Sequence, residues 1–109
     1  MLIQISDVQK DQKLYKHQKD LYLALNRLYS NPDFMLVFKD YYLNEYVLSL
    51  VKELSRYPSD TIEHKETLQE LSVISGFQKF LDNVQTNGAM AIQSLNELNA
   101  IPLNEIDYE

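Results

Sequence analysis

The chain has 109 residues, ten basic and sixteen acidic, for a formal net charge of −6; it has no Cys, no Trp, two Gly and two His. That length suits one domain, and the missing cysteines exclude a disulfide framework and a thiolate metal site. The acidic balance disfavours nucleic acid, because phosphate contacts need clustered Lys and Arg.

Residues 1–5, MLIQI, form a short apolar lead. No basic segment runs into a long apolar stretch there, so the start does not read as a secretory signal. Residues 1–6 are expected as an N-terminal arm, with Ser6 or Asp7 capping a first helix to about Tyr29. A Leu-Tyr pair recurs every seven residues at Leu14-Tyr15, Leu21-Tyr22 and Leu28-Tyr29. That spacing is expected to put these pairs on one helix face. Lys10, Lys13, Lys16 and Lys19 add a basic stripe, interrupted by Asp7, Asp11 and Asp20. A solvated helix end is the plain reading of the stripe. Contact with an acidic protein surface, such as Glu105, Asp107 and Glu109 of a neighbouring copy, is the alternative. Residues 1–29 hold five bases against three acids; residues 30–109 hold five against thirteen.

Ser30-Asn31-Pro32-Asp33 is the clearest break. Asn31 suits an N-cap, Pro32 the first helical position and Asp33 the positive end of the helix dipole. From Phe34 to Tyr57 fifteen of twenty-four residues are apolar or aromatic, with no Gly or Pro. A helix apolar nearly all round is expected inside a bundle, against two neighbours. Lys39, Asp40, Glu45, Lys52 and Glu53 exclude a membrane span. Asp60 and Glu63 have capping-box spacing for a third helix. Its apolar face is Leu68, Leu71, Ile74, Phe77, Leu81 and Val84, and Gly76 is expected where another helix comes close. Asn87-Gly88 is expected to kink or split this helix into a fourth, and Pro102 to end regular helix beyond Ala100, leaving 99–109 as an acidic tail.

The fold class expected is therefore all-α: a small bundle of three long helices, the third kinked or split, in one domain over 1–109. Phe38, Leu48, Val51, Leu71, Phe77 and Leu81 are its expected core.

Chemistry finds little support. A carboxylate-bridged di-metal bundle needs Glu three residues before each His. Leu14 and Thr61 hold those places, so His17 and His64 read as surface residues. Glu63, Glu66 and Glu70 read as a solvated face at the positive end of a helix. No strained Gly-flanked Ser and no Gly-rich phosphate loop is present. The expectation is no enzyme, no metal and no cofactor. Eight tyrosines suit protein contacts, since Tyr joins apolar area to a polar tip. Tyr15, Tyr22, Tyr29, Tyr41, Tyr42 and Tyr46 form the candidate interface; Lys10, Lys13, Lys16 and Lys19 are the candidate electrostatic contact.

The run LNRLYSNPDFMLVFKDYYLNEYVLSLVKEL and the later LQELSVISGFQKFLDNV resemble small helical proteins of tailed bacteriophages over residues 23–98. The matching features are Asn31, Asp33 and Phe34 opening a helix, then Gly76, Phe77 and Phe80. The resemblance implies a virion-associated or assembly protein, with no active-site residue. It implies partners among other virion proteins or further copies of the chain, in the host cytoplasm during infection or in the virion. A small phage-encoded regulator that inhibits a host protein is the second reading, and an enzyme with a metal in the bundle the third.

Overall fold

The computed structural model describes the backbone of residues 5–108 and the side chains of residues 9–98. The described residues are helical apart from two short connections, and no strand occurs among them. The chain is all-α, as the 3.6-residue periodicity requires.

Helix α1 spans Ile5–Tyr29. Ser6 and Asp7 lie inside it, so neither is the cap, and residues 5 and 6 of the expected arm are helical. Gln, Lys and Leu dominate this helix, and all three lose little freedom in helical conformation. At its end the N–H of Ser30 donates to the Arg27 carbonyl (3.2 Å) and that of Asn31 to the Leu28 carbonyl (2.9 Å). These short closures satisfy carbonyls that a following proline would leave open. Asn31 then caps α2 (Pro32–Phe34): its Oδ1 accepts from the N–H groups of Asp33 (2.9 Å) and Phe34 (3.3 Å). Pro32 and Asp33 stand where the sequence places them.

The next eleven residues depart from expectation. Met35–Glu45 is a π-helix, here π1, and α-helix resumes as α3 over Tyr46–Leu54. The Tyr46 N–H donates to the carbonyl of Tyr41, five residues back. Such wide turns are rare beyond a single turn. In an α-helix each i to i+4 step rotates a side chain by about 40°. The wider turn removes that drift in its original sense, and Phe34, Phe38, Tyr42 and Tyr46, four residues apart, meet ring to ring in succession. None of the π1 residues is buried, and Leu50 is the buried residue of α3. The expectation of an enclosed central helix is therefore corrected: this segment keeps an open face.

Helix α4 runs without a break over Ile62–Tyr108. Thr61 caps it, with Oγ1 accepting from the His64 N–H (3.3 Å) and donating to the Pro58 carbonyl (2.7 Å). The Asp60–Glu63 capping box does not form: with Thr61 at the cap, the third helical position is His64, not Glu63. The helix passes through Gly88 without splitting. A glycine cap needs positive φ, and no described residue has it. The helix also passes Pro102, against expectation. Proline's locked φ is itself helical, and its penalty of ~3 kcal/mol falls on one turn.

The chain divides into two compact units, one of Arg27–Asp82 and one of Met1–Asn26 with Asn83–Glu109. In the first, Phe38 meets Phe77 and Tyr46 meets Glu70, so π1 and α3 run antiparallel to the start of α4. Leu50, Ile74 and Leu81 are its buried apolar side chains. Thr67 is buried with them, its hydroxyl satisfied by donating to the Glu63 carbonyl at 2.8 Å. In the second unit Leu25 and Ala91 are buried, and Gly88 sits against Tyr22.

Of the expected core, Leu81 is buried and Leu71 and Phe77 are half-buried, but Phe38, Leu48 and Val51 are exposed. The π turns rotate the residues of this segment away from the positions that a 3.6-residue repeat assigns them. Of the two glycines, Gly88 and not Gly76 is the one that faces a close neighbour. A β-carbon on Gly76 would meet nothing within 4 Å, so no close helix approach occurs there. Gly76→Ala should therefore stabilise the protein by about 1 kcal/mol, the helix-propensity difference alone. A denaturation midpoint equal to or below wild type would show that Gly76 has a role beyond the backbone.

Candidate protein interface

An aromatic ladder runs along the second helical segment. Tyr29 and Phe34 lie 5.8 Å apart between ring centroids, and Phe34 stacks on Phe38 at 5.1 Å. Phe38 meets Tyr42 edge-on at 6.5 Å, and Tyr42 stacks on Tyr46 at 6.0 Å. Tyr41 also stacks on Tyr46, at 5.8 Å. Phe77 of α4 contacts both Phe38 (6.2 Å) and Tyr42 (6.0 Å). Each such pair adds ~0.5–1.5 kcal/mol beyond buried area. The Lys39 ammonium sits 5.1 Å from the Tyr29 ring centroid, in cation–π range. Four of the six tyrosines picked out by the sequence thus have roles in the ladder.

The ladder ends in a polar contact. The Tyr46 hydroxyl donates to the Glu70 carboxylate. Glu70 is exposed, as expected of a solvated face, but it is engaged. This hydrogen bond, then burial, then the negative charges of Glu70 and Glu53 push the Tyr46 phenol up to about 12 from 10.0. The Tyr29 phenol is also raised, by burial first and by Asp82 second. A phenol whose pKa is raised by folding favours the folded state fully below its unfolded value. That contribution is lost as pH rises from about 10 through about 12. In a phenolate absorbance titration, Tyr46 should ionise last or nearly so. Tyr46→Phe should delete that step and Glu70→Gln should move it towards 10.0. An unchanged titration curve in both variants would exclude the bond.

Beside the ladder lies an open face. Leu36, Val37 and Tyr41 are 62%, 53% and 51% exposed. With Asp40 and Glu45 they line a groove of about 270 Å³ on π1. Leu48 and Val51 are exposed farther along the segment. Each of these five large apolar side chains is about half exposed, and contiguous apolar surface such as the Leu36, Val37 and Tyr41 groove is what marks an interaction site. Sequence reading missed Leu36, Val37, Asp40 and Glu45 as a groove, because the segment was expected between two neighbours that would cover its apolar side chains. A four-residue recurrence of aromatics was the available signal.

On α1 the two halves of the Leu-Tyr repeat separate. Tyr15 and Tyr22 are half-buried, whereas Leu14 and Leu21 are 52% and 45% exposed. Lys10, Lys13 and Lys16 are exposed and Lys19 is half-buried. The acidic residues 105, 107 and 109, offered as partners for this stripe, lie outside the described side chains. His17 is exposed, but His64 is half-buried and its Nδ1 is enclosed without a hydrogen bond, so it is not the surface residue expected. Among the described residues no three His, Cys, Asp or Glu side chains gather as a metal site would need. No helix among them is long and apolar enough to cross a membrane. Phe77 lies in the ladder's contact with α4, while Phe80 is exposed. Comparison of the chain with family models, curated proteins and solved structures found no match.

Proposed function

We propose that this chain is a non-enzymatic structural or assembly protein of a tailed bacteriophage that acts through helix-mediated protein contacts and associates with itself. The observation that carries the protein-contact part is the exposed apolar face of π1 and α3. Among the described residues only five apolar side chains are buried and no large one is fully enclosed. A helical chain that leaves this much apolar surface in water gains by covering it with protein. Tyr41 and Phe38, exposed beside the aliphatic side chains of this face, are of the aromatic type that protein interfaces favour. The phage assignment rests on the resemblance over residues 23–98. The reading assigns the chain to the virion or the host cytoplasm during infection and needs no cofactor, nucleic acid or membrane.

Two measurements test it. Sedimentation of the purified chain should show concentration-dependent association, and a profile that stays monomeric at high micromolar concentration would exclude self-association. Mass spectrometry of purified virions should detect the chain. Its absence from particles and from assembly intermediates, with a host protein co-purifying instead, would turn the reading to an inhibitor of a host protein.

A further inference from the structure

The self-association above leaves open which surfaces meet. Two exposed apolar surfaces in the chain carry opposite charge. The first is the groove of π1. Leu36, Val37 and Tyr41 line it together with Asp40 and Glu45, five residues and about one π turn apart. The second is a stripe of α1. Leu14, His17 and Leu21 follow helical spacing on one face, and all three are exposed. Lys10 stands one turn before Leu14 and Lys13 one turn before His17, both exposed. Lys16 and Lys19 project from about the opposite side of the helix, and the exposed Asp11 and Asp20 stand on its two flanks, about 90° from the centre of the stripe.

We propose that the groove on π1 of one copy receives the Leu14–Leu21 stripe of α1 from a second copy, with Lys10 and Lys13 facing Asp40 and Glu45. Charge decides the pairing. Groove against groove would bring four carboxylates together, and stripe against stripe would bring four ammonium groups together. Like charges across an interface cost several kcal/mol, whereas groove against stripe opposes two carboxylates to two ammonium groups at matched one-turn spacing. The rest of the chain supports this choice. Residues 1–29 are the net-basic segment of an otherwise acidic chain, so α1 is the natural complement to an acidic-rimmed groove. The leucines fill the apolar floor and the lysines set the register. Each copy carries both surfaces, so the contact is heterologous and closes into a ring or continues as a filament.

This inference rests on the self-association reading, and the experiment separates the two. Val37→Asp spoils the groove and leaves the stripe; Leu14→Asp spoils the stripe and leaves the groove. Both sites are about half exposed, so each variant should keep wild-type helicity by circular dichroism. In sedimentation, wild type should associate and each variant alone should be monomeric. A mixture of the two should give a 1:1 dimer that grows no further, because one intact groove meets one intact stripe. The double variant Asp40→Asn with Glu45→Gln should bind about tenfold more weakly and lose its salt dependence, as expected when two partly exposed ion pairs are removed. A Val37→Asp chain that still associates alone means that stripes pair with each other, and a Leu14→Asp chain that does so means that grooves pair. Either overturns this contact and leaves self-association standing. A wild-type chain that stays monomeric overturns both. Two monomeric variants that fail to combine also overturn the groove-and-stripe contact.

Discussion

Leu81→Ala is expected to lose about 2–5 kcal/mol of folding stability. Leu81 is 4% exposed and is one of three buried apolar side chains in the Arg27–Asp82 unit. A core with so few members has few neighbours able to move into a cavity, which favours the upper part of the range. A domain of ordinary stability has about 5–15 kcal/mol in all, so one truncation removes a large share. Val73→Ala, at an exposed position on the same helix, is the control and should change stability by only about 0.5 kcal/mol. Urea denaturation at low protein concentration reads both without a contribution from association. Equal midpoints for Leu81→Ala and wild type would mean that the stability of this unit lies elsewhere.

The other large effect is expected at Gly88. A β-carbon there would overlap the Cβ of Tyr22 and stand 2.6 Å from its Cγ. The Tyr22 Cβ is fixed to its backbone, so no rotamer change relieves the overlap and the two helices must separate. Overpacking of this kind costs ~1–3 kcal/mol, and more where backbone must shift. Gly88→Ala gains ~1 kcal/mol of helix propensity and should still be destabilised overall. Gly88→Val should lose about 3 kcal/mol or more. Gly88→Ala and Gly76→Ala are the same chemical change within one helix, and their stability changes should have opposite signs. A double-mutant cycle with Tyr22→Gly, which removes the opposing carbon, should show a coupling of about 1 kcal/mol or more. Additive effects would mean that Tyr22 is not what Gly88 accommodates.

The open face of π1 ties these stability arguments to function. Of the residues expected to build a core layer, Leu48 and Val51 are at least half exposed, and Phe38, though packed in the ladder, keeps an exposed part. Folding therefore leaves unused the burial that an interface supplies. The aromatic ladder holds the segment in register through ring contacts along its own length and through Phe77. The groove thus rests on a helix supported from one side and open on the other.

How much of this was legible in the residues follows from the range of the forces involved. The end of α1 and the start of α2 were readable at Asn31-Pro32-Asp33, because the cap, the proline and the dipole charge act within a few residues. All-helical character was readable for the same reason: period and propensity are local sums. Most of the expected face of α4 was readable too, since that helix keeps the 3.6-residue repeat: Leu71, Ile74, Phe77, Leu81 and Val84 are buried or half-buried, while Leu68, expected with them, is exposed. Much else was decided by what lies across from each position. Gly76 and Gly88 look alike in sequence, and only the presence of Tyr22 opposite one of them distinguishes close approach from open space. The spacing of Asp60 and Glu63 pointed to a capping box, but the turn at Pro58 sets Thr61 as the cap instead. The π turns of Met35–Glu45 were beyond a pattern of fixed period. Within them the rings meet along the segment and against Phe77, and Leu36, Val37 and Tyr41 lie exposed. The helices and one of their boundaries thus belong to the sequence by itself. Which apolar residues became core and which became surface was decided by the tertiary structure, because burial is a property of pairs of segments and register sets which side chains those pairs enclose.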